Sequence, residues 1–170
     1  WEVISPDLTR NDKSKQGPAG GPITKDNTGV EVYDTIFSVT ESPQQKDLIW
    51  VGSDDGMIHI TTDAGKNWQN VTPRNMPEWG TVDMIEASPF AAGTAYAAVD
   101  CHRLDNFAPY VFRTTDFGKT WSTLINGIPA DDYVHAVRED PKRKGLLYAA
   151  TEKGIYVSFN DGANWEQMQT

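Results

Sequence analysis

The densest set of side chains that could do chemistry lies between Asp100 and Tyr110, in the segment DCHRLDNFAPY. The carboxylates of Asp100 and Asp105 flank His102 and Arg103, and aromatic rings follow them. Carboxylates, a cation and aromatic rings together line clefts that bind sugars and other polar ligands. The same segment can also be read as a self-satisfied surface loop, in which Arg103 pairs with Asp100 or Asp105.

Paired carboxylates in this chain could also hydrolyse a glycosidic bond. That reaction needs two carboxyl groups separated by roughly 5 Å, or by roughly 6.5–9.5 Å, on either side of the bond. The catalytic candidates are Asp54, Asp55, Asp100, Asp105 and Asp132. We predict that Asp54 or Asp55 would pair with one of the other three across neighbouring structural units.

A second set of side chains is predicted to bind a ligand, and it comprises Trp79, His102, Arg103, Tyr133 and His135. The histidines are far apart in the sequence and form no CxxC or HExxH pattern, so no metal site is predicted. The sequence has no Gly-rich phosphate loop, so no cofactor is predicted either.

The overall charge narrows the range of partners. The chain has 170 residues, with 24 acidic and 15 basic side chains and a formal net charge of −9. Nucleic acid is not expected as a partner, because neutralising its phosphates requires clustered Lys and Arg. No apolar run approaches the roughly 20 residues that cross a bilayer, so membrane insertion is not expected, and no leader peptide is visible.

An internal repeat indicates the elements that must position these residues. Three segments share the pattern Ser/Thr-x-Asp/Asn-x-Gly-x-x-Trp: motif 1 (TTDAGKNW, 61–68), motif 2 (TTDFGKTW, 114–121) and motif 3 (SFNDGANW, 158–165). The pattern residues are Thr61, Asp63, Gly65, Trp68, Thr114, Asp116, Gly118, Trp121, Ser158, Asn160, Gly162 and Trp165.

The motif residues are predicted to be structural. A short Asp or Asn side chain accepts hydrogen bonds from nearby backbone N–H groups, and Gly permits the positive φ that a tight turn needs. Trp is expected to fold back over the turn as an apolar lid. Asn160 supports this role, because an amide can replace a carboxylate as an acceptor but not as an acid or base.

Each motif is expected to follow the third of four short antiparallel strands rich in β-branched and aromatic residues. The repeat period of about 45–50 residues is that of a four-stranded propeller blade. We therefore predict an all-β fold with almost no helix. It contains three full blades, at residues 35–73, 81–126 and 133–170.

The first residues match the repeat as well, because WEVISP (1–6) aligns with WQNVTP (68–73). We predict that residues 1–6 form the outer strand of a preceding blade and that residues 7–34 form a long loop. A propeller closes with about 4–8 blades. The chain is therefore expected to be a piece of a larger propeller, or to close by association as a homodimer through its open blade edges.

The three motifs resemble the Asp-box, or BNR repeat, and the sequence around them resembles bacterial sortilin-like and glycosyl-hydrolase-like BNR proteins. This resemblance implies a β-propeller that is secreted or periplasmic. It also implies that ligands bind on the face formed by the loops after the second and fourth strands. Sialidase chemistry is disfavoured, because only Arg74 and Arg103 fall on those loops.

Two functions follow from the sequence. The first is a non-catalytic binding or scaffolding segment whose partner is an oligosaccharide or a protein. The alternative is part of a glycoside hydrolase, xyloglucanase-like or sialidase-like, that cleaves polysaccharide with paired carboxylates.

Overall fold

The computed structural model describes residues 1–23, 25–26 and 33–168. Within them the helical content is two three-residue 3-10 turns, Lys13–Lys15 and His102–Leu104. The strands are β1 (Ala19–Gly20), β2 (Lys25–Asp26), β3 (Ile36–Glu41), β4 (Ile49–Ser53), β5 (Ile58–Thr61), β6 (Gln69–Asn70), β7 (Thr81–Ala87), β8 (Ala95–Asp100), β9 (Tyr110–Thr114), β10 (Ser122–Thr123), β11 (Val134–Glu139), β12 (Leu147–Thr151), β13 (Ile155–Ser158) and β14 (Glu166–Gln167).

Three four-stranded antiparallel sheets form the body of the chain. Blade 1 is β3-β4-β5-β6, blade 2 is β7-β8-β9-β10 and blade 3 is β11-β12-β13-β14, each in sequence order. The predicted all-β fold with four-stranded blades and almost no helix is confirmed.

Two apolar cores lie between consecutive blades, because alternate residues of each strand point to opposite faces of its sheet. Between blades 1 and 2, Trp50 packs with Phe112 and the aliphatic residues around them. Between blades 2 and 3, Tyr96, Tyr156 and Trp165 pack together. Each blade is therefore stabilised mainly by the faces of its neighbours.

The outer faces of blades 1 and 3 carry exposed apolar side chains, whereas the equivalent residues of the other blades are buried. Val39 on β3 is 63% exposed, whereas Ile85 and Val137, at the same position of β7 and β11, are 2% and 0% exposed. On blade 3, Ile155 is 46% exposed, whereas its counterpart Val111 is 0% exposed. The three blades thus form an arc with an apolar face at each end.

The region predicted as a long loop, 7–34, contains a 3-10 turn and a two-residue antiparallel pairing of β1 with β2. Residues 24 and 27–32 of this predicted loop, and residues 169–170 of the predicted third blade, lie outside the described residues. In the part of the chain that is described, no helix is long and apolar enough to cross a bilayer.

The motif tryptophans link each blade to the outer strand of the preceding blade. Trp121 Nε1 donates to the Val71 carbonyl at 2.7 Å, and Trp165 Nε1 donates to the Leu124 carbonyl at 3.0 Å. Each acceptor lies three residues after the Trp of the preceding motif.

The same link joins blade 1 to the N-terminal segment. Trp68 Nε1 donates to the Ile4 carbonyl at 2.9 Å, and Ile4 lies three residues after Trp1. Gly65 approaches Ile4 as Gly118 approaches Val71, so closely that an added Cβ at either glycine would clash. Residues 1–6 therefore contact blade 1 as the outer strand of one blade contacts the next.

Candidate functional site

One β-bulge recurs at the start of the innermost strand of every blade. The register shifts between Ile36 and Ser38, between Val82 and Met84, and between Val134 and Ala136. The residues left unpaired are Phe37, Asp83 and His135. A bulge re-aims a side chain and is common beside functional sites, and here it presents three different side chains from equivalent positions.

These three side chains line a cleft of about 360 Å³ together with Thr81, Asp100, His102 and Arg103. The cleft lies where the loops after the second and fourth strands meet. On this face Glu152 N donates to the Tyr133 carbonyl at 3.1 Å, and the His102 ring stacks on the Tyr133 ring with centroids 4.9 Å apart.

His135 connects two blades across this cleft. Its Nδ1 lies 3.3 Å from Asp83 Oδ2 on blade 2, and its Nε2 lies 3.3 Å from Glu152 Oε2 on blade 3. The Tyr133 ring meets the His135 ring edge-on at 4.9 Å. The imidazole is therefore held on three sides.

Asp100 is fixed at the end of β8 by the 3-10 turn that follows it. Its Oδ1 accepts from the His102 backbone N–H at 2.8 Å, and its Oδ2 contacts His102 Nδ1. Asp100 is buried, whereas Arg103 and Asp105 are exposed. The self-satisfied loop that pairs Asp100 with Arg103 is thus not the arrangement seen, because His102 takes the cation's place.

The cleft is electrostatically negative. Burial, followed by the charge of Asp100, raises the pKa of Asp83 to about 6 although His135 opposes this shift. Partial burial disfavours the charge of His135, but hydrogen bonds with Glu152 and Asp83 outweigh it and raise the pKa of His135. The His135 and Tyr133 hydrogen bonds lower the pKa of Glu152.

Of the ligand-binding candidates, the structure brings four together and leaves one apart. His102, Arg103, Tyr133 and His135 lie at or beside the cleft. Trp79 lies at the edge of blade 1, where the Arg10 guanidinium sits 4.8 Å from its ring centroid and Tyr33 packs edge-on. The sequence placed it with the others because it shares their face, not their cleft.

The catalytic candidates of blades 1 and 3 are occupied by hydrogen bonds from neighbouring segments of the chain. Asp54 accepts from Thr35 N at 2.8 Å, and Asp55 accepts from Arg10 N at 2.5 Å and from Ser53 Oγ. Asp132 accepts from Lys153 N at 3.0 Å and from two hydroxyl groups. All three carboxylates are buried, and they hold the loops that shape the face.

Asp105 ends the 3-10 turn in the left-handed conformation, with φ at 61° and its N–H donated to the His102 carbonyl. Its side chain is exposed and does not line the cleft. Among the catalytic candidates, Asp100 is the one that lines the cleft.

Sequence reasoning missed Asp83, Phe37 and Thr81, which line the cleft, and Glu152, which contacts His135 beside it. A signal existed for the first two, because Phe37, Asp83 and His135 align when the three repeats are superimposed. Asp83 is a charged residue between the apolar residues Val82 and Met84. This alternation indicates that its side chain is directed away from the core.

The three motifs share one hydrogen-bond pattern. In motif 1 the Thr61 hydroxyl donates to Asp63 Oδ1 at 2.8 Å and accepts from Gly65 N, and Asp63 Oδ1 also accepts from Asn67 N at 2.9 Å. Motifs 2 and 3 repeat these bonds around Asp116 and Asn160. The glycines have φ between 79° and 88°.

No protein-family model matches the chain. Among curated proteins, the chain is 30% identical over 119 residues to vacuolar protein sorting/targeting protein 10 of Laccaria bicolor. The aligned region covers 68% of this chain and 7% of that protein.

The similarity to solved structures covers more of the chain. An ancestral GH74 enzyme superimposes with a TM-score of 0.64 at 24% identity, over 81% of this chain and 19% of that one. The GH74 xyloglucanase of Xanthomonas campestris gives 0.62 at 17% identity, over 78% and 20%. YCF48 bound to D1 peptide gives 0.60 at 19% identity, over 78% and 40%.

The chain spans only part of each of these proteins, and the structural likenesses are below 25% identity. They show the fold and not the activity. The chain therefore has the β-propeller fold that is seen in GH74 enzymes and in YCF48.

Proposed function

We propose that this chain is a non-catalytic binding segment of a larger propeller, and that its cleft takes an oligosaccharide. The observation that carries the proposal is the cleft lined by the bulge residues of the three blades. There Asp83, Asp100 and His135 stand beside Arg103 and the stacked rings of His102 and Tyr133.

The chemistry of the lining favours hydroxyl-rich, uncharged ligands. Carboxylates and imidazoles accept and donate hydrogen bonds to sugar hydroxyls, and aromatic rings pack against sugar faces. Anionic ligands are disfavoured because Arg103 alone, among the described lining residues, carries a permanent positive charge.

The test is isothermal titration calorimetry of the 170-residue chain with xyloglucan oligosaccharides and, separately, with short peptides. We expect saccharide binding that Tyr133→Ala weakens by about tenfold through lost ring contact. The matched control is Asp105→Asn on the same loop face, which is expected to bind as the parent chain does. Peptide binding without saccharide binding, or no binding at all, would contradict the proposal.

A second candidate function is glycoside hydrolysis, and one distance favours it. Carboxylate oxygens of Asp83 and Asp100 lie within 4.8 Å of each other, near the spacing of roughly 5–5.5 Å in retaining enzymes. The two residues lie on adjacent strands of one blade rather than across the cleft, which is why binding is the primary proposal. Release of reducing sugar by the chain, abolished in Asp83→Asn, would establish the hydrolase.

We infer in addition that the chain is one arc of a larger extracytoplasmic bacterial protein. Its divisions are then residues 1–6 as an outer strand, 7–34 as a connecting loop, and 35–73, 81–126 and 133–170 as blades. The Trp68–Ile4 bond and the small share of each relative that the chain covers support this division. Recovery of the natural gene product from the periplasmic or culture fraction tests the location.

A further inference from the structure

Three metal-ligating groups from two blades converge at the cleft. One carboxylate oxygen each from Asp83 and Asp100 and one imidazole nitrogen of His135 all lie within 4.8 Å of one another. Asp83 and His135 are the bulge residues of β7 and β11, and Asp100 is the last residue of β8. None of the three is fully exposed.

We propose that Asp83, Asp100 and His135 bind a divalent transition-metal cation, with Zn²⁺ as its probe. The site lies within the cleft that the proposed function uses. Metal binding does not depend on that function, because it requires only these three side chains.

The distances are already near those of a coordination sphere. Ligand atoms about 2.0–2.1 Å from a tetrahedral Zn²⁺ lie roughly 3.3 Å from one another. His135 Nδ1 and Asp83 Oδ2 are 3.3 Å apart. The third ligand, Asp100, has an oxygen within 4.8 Å of the other two ligand atoms. Binding the ion would draw this carboxylate closer and would loosen its present contact with His102 Nδ1.

A second carboxylate holds His135 from behind. Glu152 Oε2 lies 3.3 Å from His135 Nε2, so an Nε2–H donated to Glu152 leaves the Nδ1 lone pair directed at Asp83. This carboxylate–imidazole arrangement is the one that orients metal-bound histidines and raises their basicity. Glu152 is therefore assigned as a positioning residue.

The donor set selects the kind of ion. One imidazole nitrogen with two carboxylate oxygens suits Zn²⁺, Mn²⁺ or Co²⁺, whereas Ca²⁺ and Mg²⁺ prefer all-oxygen sites. Three protein ligands leave a position open. In the cleft, that position would face the ligand hydroxyls of the proposed function.

The charges around the site also favour a cation. Asp83, Asp100 and Glu152 supply three carboxylates, against the guanidinium of Arg103 and the imidazoles. The competing account is a protonated His135 that bridges Asp83 and Glu152 without any metal. It accounts for the two His135 distances, and the bonds from the His102 backbone and ring hold Asp100 in either account. The two accounts differ in whether the chain binds Zn²⁺.

The experiment is calorimetric titration of chelator-treated chain with ZnCl₂ at neutral pH, followed by the visible absorption of the Co²⁺ form. We expect one ion per chain and Co²⁺ bands typical of nitrogen and oxygen ligands. Asp83→Asn and His135→Ala are each expected to abolish both signals. Glu152→Gln is expected to weaken binding by about 10–100-fold, as a lost outer-sphere partner does.

Two matched controls separate this site from other side chains. His59→Gln removes a histidine far from the cleft, and Asp105→Asn removes a nearby carboxylate that does not line it. Both are expected to bind Zn²⁺ as the parent chain does, and circular dichroism verifies that every variant folds. Absence of binding, or binding that survives in Asp83→Asn and His135→Ala, overturns the proposal in favour of the protonated bridge.

The saccharide titration, repeated with a chelator present, keeps the two proposals apart. Saccharide binding without Zn²⁺ binding would contradict only the proposed metal site. Zn²⁺ binding without saccharide binding would contradict only the proposed oligosaccharide binding.

Discussion

The motif carboxylates form a pH-sensitive set at the scale of single residues. The Asn67 side chain and backbone, together with Thr61, donate to Asp63 and lower its pKa to about 2. The folded-state pKa thus lies below the unfolded value. The stability that Asp63 contributes is therefore complete above pH 4 and is lost as the pH falls towards 2.

We predict that Asp63→Asn flattens this acid dependence. The amide keeps one acceptor, as Asn160 does naturally in motif 3, but it does not titrate. Thermal unfolding followed by circular dichroism from pH 7 to pH 2 measures the effect. The variant is expected to start slightly less stable, because the bond from Asn67 Nδ2 is lost, and then to lose less stability than the parent chain between pH 4 and 2.

Asp105→Asn is the control here, since it removes an exposed carboxylate outside the motifs. Its curve should run parallel to that of the parent chain. If Asp63→Asn also runs parallel, the motif carboxylate has no special role in acid stability.

Individual residues differ in how far the sequence could assign them. The motif positions were open to prediction because the same acceptor, glycine and tryptophan recur three times. The position of Asp83 is marked by its alignment with Phe37 and His135 in the repeats, but the unrelated chemistry of these three side chains gave no shared role from which to assign it. Asp54, Asp55 and Asp132 resembled catalytic groups, because a sequence does not reveal which carboxylates accept bonds from backbone N–H groups 19 to 45 residues away.

At the scale of elements, the motif joins blades as well as closing turns. The Trp121 indole packs against the core between blades 1 and 2. Its Nε1 donates to the carbonyl of Val71, which follows β6 of blade 1, at 2.7 Å. The sequence predicted the lid but not this bond, because the partner belongs to another blade 50 residues away.

We predict that Trp121→Phe lowers the free energy of unfolding by about 1 kcal/mol or more. The ring is largely kept, but the hydrogen bond is lost and the Val71 carbonyl is left without this donor. Urea unfolding followed by circular dichroism measures the change. Trp1→Phe, at a fully exposed indole, is the control and is expected to change stability by less than about 0.5 kcal/mol. Equal effects of the two substitutions would show that the bond between blades contributes nothing.

The strand order could be predicted because period-2 alternation and turn residues recur at blade spacing. The bulges could not, because one unpaired residue changes the register without changing composition. They nevertheless decide which side chains reach the cleft, so the candidate site was less predictable than the fold.

At the scale of the whole molecule, the arc has two complementary apolar ends. Val39 lies where blades 2 and 3 bury Ile85 and Val137 against a preceding blade, and Ile155 lies where blade 2 buries Val111 against a following one. The sequence predicted open edges from the blade number, and the exposure of these residues identifies the two faces.

We predict that the 170-residue chain self-associates by packing the Ile155 face of one copy on the Val39 face of another, which buries apolar area on both. Light scattering after size exclusion is expected to give a mass above that of a monomer. Ile155→Arg or Val39→Arg alone should give monomers, because each places a charge in the contact. A mixture of these two variants should recover dimers, because each retains the face that the other lacks.

Ile125→Arg, at a partly exposed apolar residue outside both faces, is the control and should associate as the parent chain does. In this contact, Met168 of one copy would take the place that Ile4 holds in the other, since each lies three residues after its Trp. Removing residues 1–6 should therefore strengthen association. A parent chain that stays monomeric at high concentration, or a mixture that recovers no dimer, would contradict this packing of two copies through the Ile155 and Val39 faces.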